Sequence, residues 1–106
     1  MSQVRDFFEN LENRFEPSAA SNLNAIFQYE LKEGEVFHFD IQNGECRLAE
    51  GEHPAPSITM KLKFETLSKL ASGELDGMKA FMFGKLKLSG DLSLATRLVK
   101  LFPISK

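Results

Sequence analysis

Tryptophan is missing from this chain of 106 residues, tyrosine and cysteine occur once each, histidine twice and proline four times. Cys46, alone, cannot close an internal disulfide, and no second cysteine or clustered histidine stands at metal-ligand spacing. No metal or other cofactor is therefore expected. No apolar run approaches the roughly 18 to 20 residues needed to cross a bilayer, and the opening "MSQVRDFFEN" has no apolar core of the secretory kind, so a cytoplasmic location is expected. A glycine-rich phosphate loop is absent too, as is any Ser/His/Asp or Cys/His pairing whose spacing suggests an activated nucleophile.

Apolar residues make up 42% of the chain and charged residues 26%, values of an ordinary folded domain and not of a disordered one. The length suits one domain, residues 1–106, that buries roughly two-thirds of its unfolded surface. The net charge of −2 conceals an asymmetry. Residues 1–53 carry eleven acids and four bases, whereas residues 54–106 carry four acids and nine bases. A basic second half favours an acidic partner, anionic headgroups included, although ordinary solvated faces produce the same count.

Val4, Phe7, Phe8, Leu11 and Phe15 recur at helical spacing behind Ser2 as N-cap, and Pro17 ends that helix. "NAIFQYELK" then sets Ala25, Phe27, Tyr29 and Leu31 on one face of a strand and Gln28 and Glu30 on the other, with Ile26 breaking the pattern. In "EVFHFDIQ", Phe37, Phe39 and Ile41 alternate with His38 and Asp40. Asn43-Gly44 marks a tight hairpin into "ECRLAE". Past "GEHPAP", a fourth strand directs Ile58, Met60 and Leu62 inward and Thr59, Lys61 and Lys63 outward. Phe64, Leu67, Leu70 and Ala71 form a short helix with Gly73 as its left-handed cap. Asp76 caps another helix that runs through Phe81, Met82 and Phe83 until Gly84 stops it. "KLKLS" is a fifth strand, and "LSLATRLVKLF" an amphipathic helix with Leu94, Leu98, Leu101 and Phe102 on its stripe, Ala95 widening it, and Thr96, Arg97 and Lys100 opposite.

Taken together, "SITMKLKFETLSKLASGELDGMKAFMFGKLKLSGDLSLATRLVKLF" resembles the sterol carrier protein type 2 domain, with its "T-I-T-M" strand, "F-x-x-L-x-x-G-x-L", "A-F-x-x-G-K-L-K-x-x-G-D" and "L-A-x-x-L" segments. The points of likeness include Ile58, Phe64, Gly73, Ala80, Gly84, Lys85, Gly90, Asp91 and Leu98, and the preceding helix, strands and turn follow the same order. The resemblance implies an α+β fold, a twisted, largely antiparallel five-stranded sheet covered on one face by helices and enclosing an apolar tunnel. It implies a non-catalytic role in binding, transferring or presenting a lipid: a fatty acid, fatty acyl-CoA, phospholipid or sterol-like ligand. Ten phenylalanines and four methionines suit a deformable lining for varied alkyl chains. The expected ligand contacts are Phe64, Leu67 and Leu70, then Phe81, Met82 and Phe83, then Leu94, Leu98 and Phe102, with Tyr29, Phe37 and Phe39 as the floor. Phe83 departs from relatives that often carry a small or polar residue before the "G-K-L-K" glycine, which favours a slender acyl chain or a nearly closed cavity over a sterol. The ending "PISK" lacks the peroxisomal "S-K-L" address, and a free-standing domain is expected.

Three other readings compete. A cup-shaped α+β enzyme would recruit His38, Asp40 or Glu45 as a base, but strand parity turns His38 and Asp40 away from the core. Lys61, Lys63, Lys85 and Lys87 would make a basic ridge if their strands are neighbours. With no outward aromatics for base stacking, no nucleic acid is expected; lysines that blunt strand pairing and keep an exposed sheet soluble are the plainer reading of the ridge, and transient contact with an anionic membrane surface, through the ridge or the Arg97, Lys100 and Lys106 face, is the alternative. Finally, the same fold with a filled cavity would serve as a protein-interaction domain.

Overall fold

A computed structural model describes residues 3–104. Helix α1 (Gln3–Asn13) and a 3-10 turn (Pro17–Ala20) precede strands β1 (Ala25–Leu31), β2 (Val36–Gln42), β3 (Glu45–Glu50) and β4 (Ile58–Leu62). Helices α2 (Phe64–Ser72) and α3 (Gly77–Met82), strand β5 (Leu86–Gly90), a second 3-10 segment (Leu92–Arg97) and α4 (Leu98–Leu101) complete the chain. Ser2, the expected cap of α1, and Lys106 lie outside the described residues.

The five strands form one sheet in the order β3-β2-β1-β4-β5. Three pairings are antiparallel, and β1 with β4 is parallel, so the sheet is mixed and largely antiparallel. Period-two alternation fixes its inner face. Ala25, Phe27, Tyr29 and Leu31 of β1 meet Ile41, Phe39 and Phe37 of β2 on one side, and Ile58, Met60 and Leu62 of β4 on the other, all buried. The Asn43-Gly44 turn has positive φ at both residues, 53° and 77°, the geometry that matches strand twist in a two-residue hairpin.

The outer face is not simply wet. Gln28 and Thr59 are buried there, although their parity is outward. The segment between β3 and β4 lies over Gln28 and its neighbour Ile26: His53 N donates to Gln28 Oε1 at 2.8 Å, and Ser57 N to Ile26 O at 2.9 Å.

The expected C-terminal helix also differs, as it begins as a 3-10 segment before α4. Asp91 accepts hydrogen bonds from Ser93 N and Oγ, and Thr96 Oγ1 donates back to Ser93 O at 2.8 Å, side-chain bonds that favour the tighter winding. The stripe survives the change: Leu94, Leu101 and Phe102 are buried and Leu98 is half-buried.

Candidate functional site

Nine of the twelve expected ligand contacts meet in one apolar cluster. Tyr29, Phe37, Phe39, Leu67, Leu94 and Phe102 are buried in it, and Phe64, Leu70 and Leu98 pack half-buried against it. Its centre is Phe8 of α1. That ring stacks on Phe37 at 4.6 Å and meets Tyr29 edge-on at 5.3 Å. Phe39 joins them, 5.8 Å from Tyr29 and 4.9 Å from Phe102. These spacings are those of favourable edge and offset contacts. Phe8 was not among the expected contacts, since one stripe residue of an amphipathic helix carries no mark that separates it from its neighbours.

Phe81, Met82 and Phe83 are elsewhere. They are exposed, at 48%, 73% and 71%, instead of pointing into the interior. The reason lies in α3 itself: it has six residues, and Ala80 is the one that is buried. At about 100° per residue, Met78 and Met82 fall opposite Ala80 and Phe81 to its side. Asp76 fixes the start of the helix by accepting from Met78 N at 2.7 Å, and Gly84, at φ 75°, closes its end with Lys85 N donating to Ala80 O at 2.8 Å.

Two clefts open on the surface near the β2–β3 turn. One, of about 330 Å³, is lined by Pro17, Ala20, Asn22, Leu23, Asn43 and neighbours, and the other, of about 260 Å³, by Asp40, Gln42, Asn43, Glu45 and Arg47. Neither is the apolar tunnel that the resemblance implies, and neither includes any of the twelve residues.

At the edge of the cluster the chain ends close over one another. Glu16 N donates to Leu101 O at 2.8 Å, Phe15 and Phe102 lie 5.9 Å apart, and Ile104 covers Gly73 at the end of α2. Arg14 sits in this seam. Its Nη1 donates to Ala71 O at 3.4 Å, while its buried Nε has no hydrogen-bond partner among the described residues. A buried guanidinium N–H without a partner is costly, and an oxyanion reaching it would offset that cost. Sequence reasoning missed it because a lone arginine at a helix end reads as a solvated charge.

The remaining candidates serve the framework. His38 Nδ1 donates to Gly51 O at 2.8 Å, and His53 Nδ1 accepts from Ala55 N at 2.9 Å, so both rings hold the loop on the outer face and are not simply solvated. The two rings stand 5.2 Å apart. Lys61 and Lys87 are directly opposite on β4 and β5, which makes the basic ridge real, and Lys61 is also 3.7 Å from Glu30. Cys46 faces inward, half-buried. Burial first, then the Glu12 and Asp40 carboxylates, push its thiol from 9.0 up to about 12, and burial also raises the Tyr29 phenol. The folded state thus keeps the proton longer than the unfolded one. The stability this group contributes is intact below pH 9 and declines as pH rises from there toward 12. At pH 8, alkylation of Cys46 by iodoacetamide is expected to run at least about tenfold slower in the native protein than after denaturation. Equal rates would contradict this placement.

Comparisons with known proteins agree with this architecture. Residues 8–103 match the family model described as "SCP-2 sterol transfer family". Hydroxysteroid dehydrogenase-like protein 2 of Danio rerio is 26% identical over 106 residues, covering 97% of this chain and 26% of that protein. The chain thus spans about a quarter of the length of that curated relative. The palmitated SCP2L2 of Aedes aegypti superposes with a TM-score of 0.74 at 22% identity, covering 96% of each chain. The inverting sec-alkylsulfatase Pisa1 from Pseudomonas sp. contains the same fold, with a TM-score of 0.85 at 24% identity over 94% of this chain and 16% of that one. At these identities the two structures establish the fold.

Proposed function

This chain belongs to the SCP-2 sterol transfer family, and from that premise we propose that it binds one long-chain amphiphile without catalysis, the alkyl chain between helices and sheet and the headgroup at Arg14. The observation that carries the reading is the orphaned Arg14 Nε beside an otherwise apolar layer. A fatty acid supplies both complements: a carboxylate for the guanidinium and methylenes for the layer. Each methylene removed from water contributes about 0.8 kcal/mol, so ten contribute roughly 8 kcal/mol before ordering costs. The palmitate on the Aedes aegypti protein fits this ligand class. Phe64, Leu67, Leu70, Leu94, Leu98 and Phe102 flank the chain from the helix side, and Tyr29, Phe37 and Phe39 floor it. Phe81, Met82 and Phe83, being exposed, form the mouth. The domain delivers its ligand during transient contact with an anionic membrane surface, or presents it to an enzyme.

The test is displacement of a fluorescent fatty acid, cis-parinaric acid, by palmitate and by hexadecanol. Arg14→Met is expected to weaken the acid about tenfold and leave the alcohol unchanged. Leu98→Arg, which sets a charge into the half-buried rim, should abolish uptake of both. Wild-type protein that binds neither probe, and whose melting point neither shifts, would overturn the proposal. That result would favour the second reading, an interaction domain with a filled interior, for which the ring-to-ring packing of Phe8, Tyr29, Phe37 and Phe39 speaks.

A further inference from the structure

We propose that the exposed face of α3 is the surface by which this protein docks on an anionic lipid bilayer, with Met78, Phe81, Met82 and Phe83 entering the interface and Lys79 and Lys85 holding the headgroups. The idea rests on the lipid-binding reading only in taking the bilayer as the source or destination of the ligand.

Met78, like Met82 and Phe83, is more than two-thirds exposed. Four large apolar side chains within six residues are too many for an ordinary wet helix, and Met78, Phe81 and Met82 share a face at spacings of three and four. Residues 77–90 contain three lysines and no acid. The flanking acids are already engaged: Asp76 accepts from Met78 N, and Asp91 from Ser93 N at 3.1 Å and Ser93 Oγ at 2.6 Å. The patch is therefore apolar at its centre with Lys79 and Lys85 at its border, and the Asp76 carboxylate at its start is turned onto the Met78 N–H.

That combination decides among occupants. A second copy of this chain, docked face to face about a two-fold axis, would bring each lysine border against its own like charge. A bilayer with anionic headgroups offers the complement to both parts. Its acyl boundary receives flexible methionine and aromatic side chains, and lysine stems reach from that depth to the phosphates.

The experiment is co-sedimentation of the full chain with vesicles of phosphatidylcholine containing about one-third phosphatidylserine, and of phosphatidylcholine alone, at low and high salt. Wild-type protein should partition to the anionic vesicles at low salt and lose about tenfold at high salt. Lys79→Glu with Lys85→Glu should reduce that partition at least thirtyfold, roughly, because four unit changes of charge face the surface. Met78→Ser should reduce it about threefold or more. Arg47→Glu, on β3 at the opposite edge of the sheet, should change nothing. In vesicle-free solution the double lysine variant should bind cis-parinaric acid as the wild type does.

Docking on α3 is overturned if the double variant partitions like wild type, or if wild type fails to bind anionic vesicles at low salt. It is equally overturned if the patch proves to be a dimer interface that the double variant dissolves, or if that variant loses vesicle and fatty-acid binding together. Wild type that docks yet takes up no fatty acid supports the surface and overturns only the carrier reading.

Discussion

Gly90→Ala is expected to lower stability by about 3 kcal/mol or more and to drop the melting temperature by roughly 15 °C or more, a large part of the 5–15 kcal/mol typical of a domain. Gly90 closes β5 at φ 97°, beyond the left-handed region that L residues tolerate. A Cβ there would stand 2.5 Å from Ser57 O and 3.1 Å from the Ile58 Cα. Both are backbone atoms, so no side chain can swing aside. Nor can the carbonyl retreat cheaply, since Ser57 O also accepts from Asp91 N at 2.9 Å, and Ser57 Oγ accepts from Ile26 N. Thermal melting followed by far-ultraviolet circular dichroism measures the loss. Gly34→Ala is the matched control, with φ at 118° and nothing within 4 Å of the added carbon, and should cost only the backbone strain. If the two variants melt together, the close approach at Ser57 does not hold β4 and β5 in place.

Phe8→Ala should cost about 3–5 kcal/mol in urea unfolding, with the midpoint moved and the slope preserved. Phe8 is fully buried and touches Phe7, Tyr29, Phe37 and Phe39, at ring distances between 4.6 and 6.1 Å. Truncation removes apolar burial and all four ring contacts, and leaves a void that a sheet and a helix cannot both collapse into. Leu11 stays buried in the same cluster and Val4 and Phe7 pack against it, and polar ties add to these: Glu12 accepts from Leu48 N at 2.7 Å, and Arg5 pairs with Glu50. Such surface pairs contribute little. A loss below about 1 kcal/mol would show that α1 is held by something other than this ring.

What could be read from sequence was what a repeating period writes. Phe37, Phe39 and Ile41 alternate cleanly, and their face follows; Asn43-Gly44, Gly73 and Gly84 announce a turn and two helix ends by the φ they permit. The parallel pairing of β1 with β4 has no such sign, because neighbouring strands that are distant in sequence are chosen by packing and not by local spacing. Gln28 was legible as outward but not as buried, since its cover comes from a loop 25 residues further on. The bulk of Phe81, Met82 and Phe83 argues for an interior position, yet in so short a helix the small Ala80 sets the contact face by fitting closely where a larger side chain would not. The other nine residues gather in one apolar cluster, a place that their stripes and strand parity alone would give them, whereas Arg14 carries no such pattern and is set in its seam by the fold.

The place of β1 in the middle of the sheet has a consequence for biosynthesis. As the nascent chain leaves the ribosome, β1, β2 and β3 can form a meander from local contacts alone, well before β4 has been translated. During that interval β1 is a bare edge, and six of its seven residues are ones that the finished molecule hides. Its backbone donors and acceptors on that side await residues 58–62, and any similar strand nearby could take their place. Speed of elongation through this stretch, and whatever chaperone shields the half-made sheet, therefore bear directly on how much of the protein escapes aggregation.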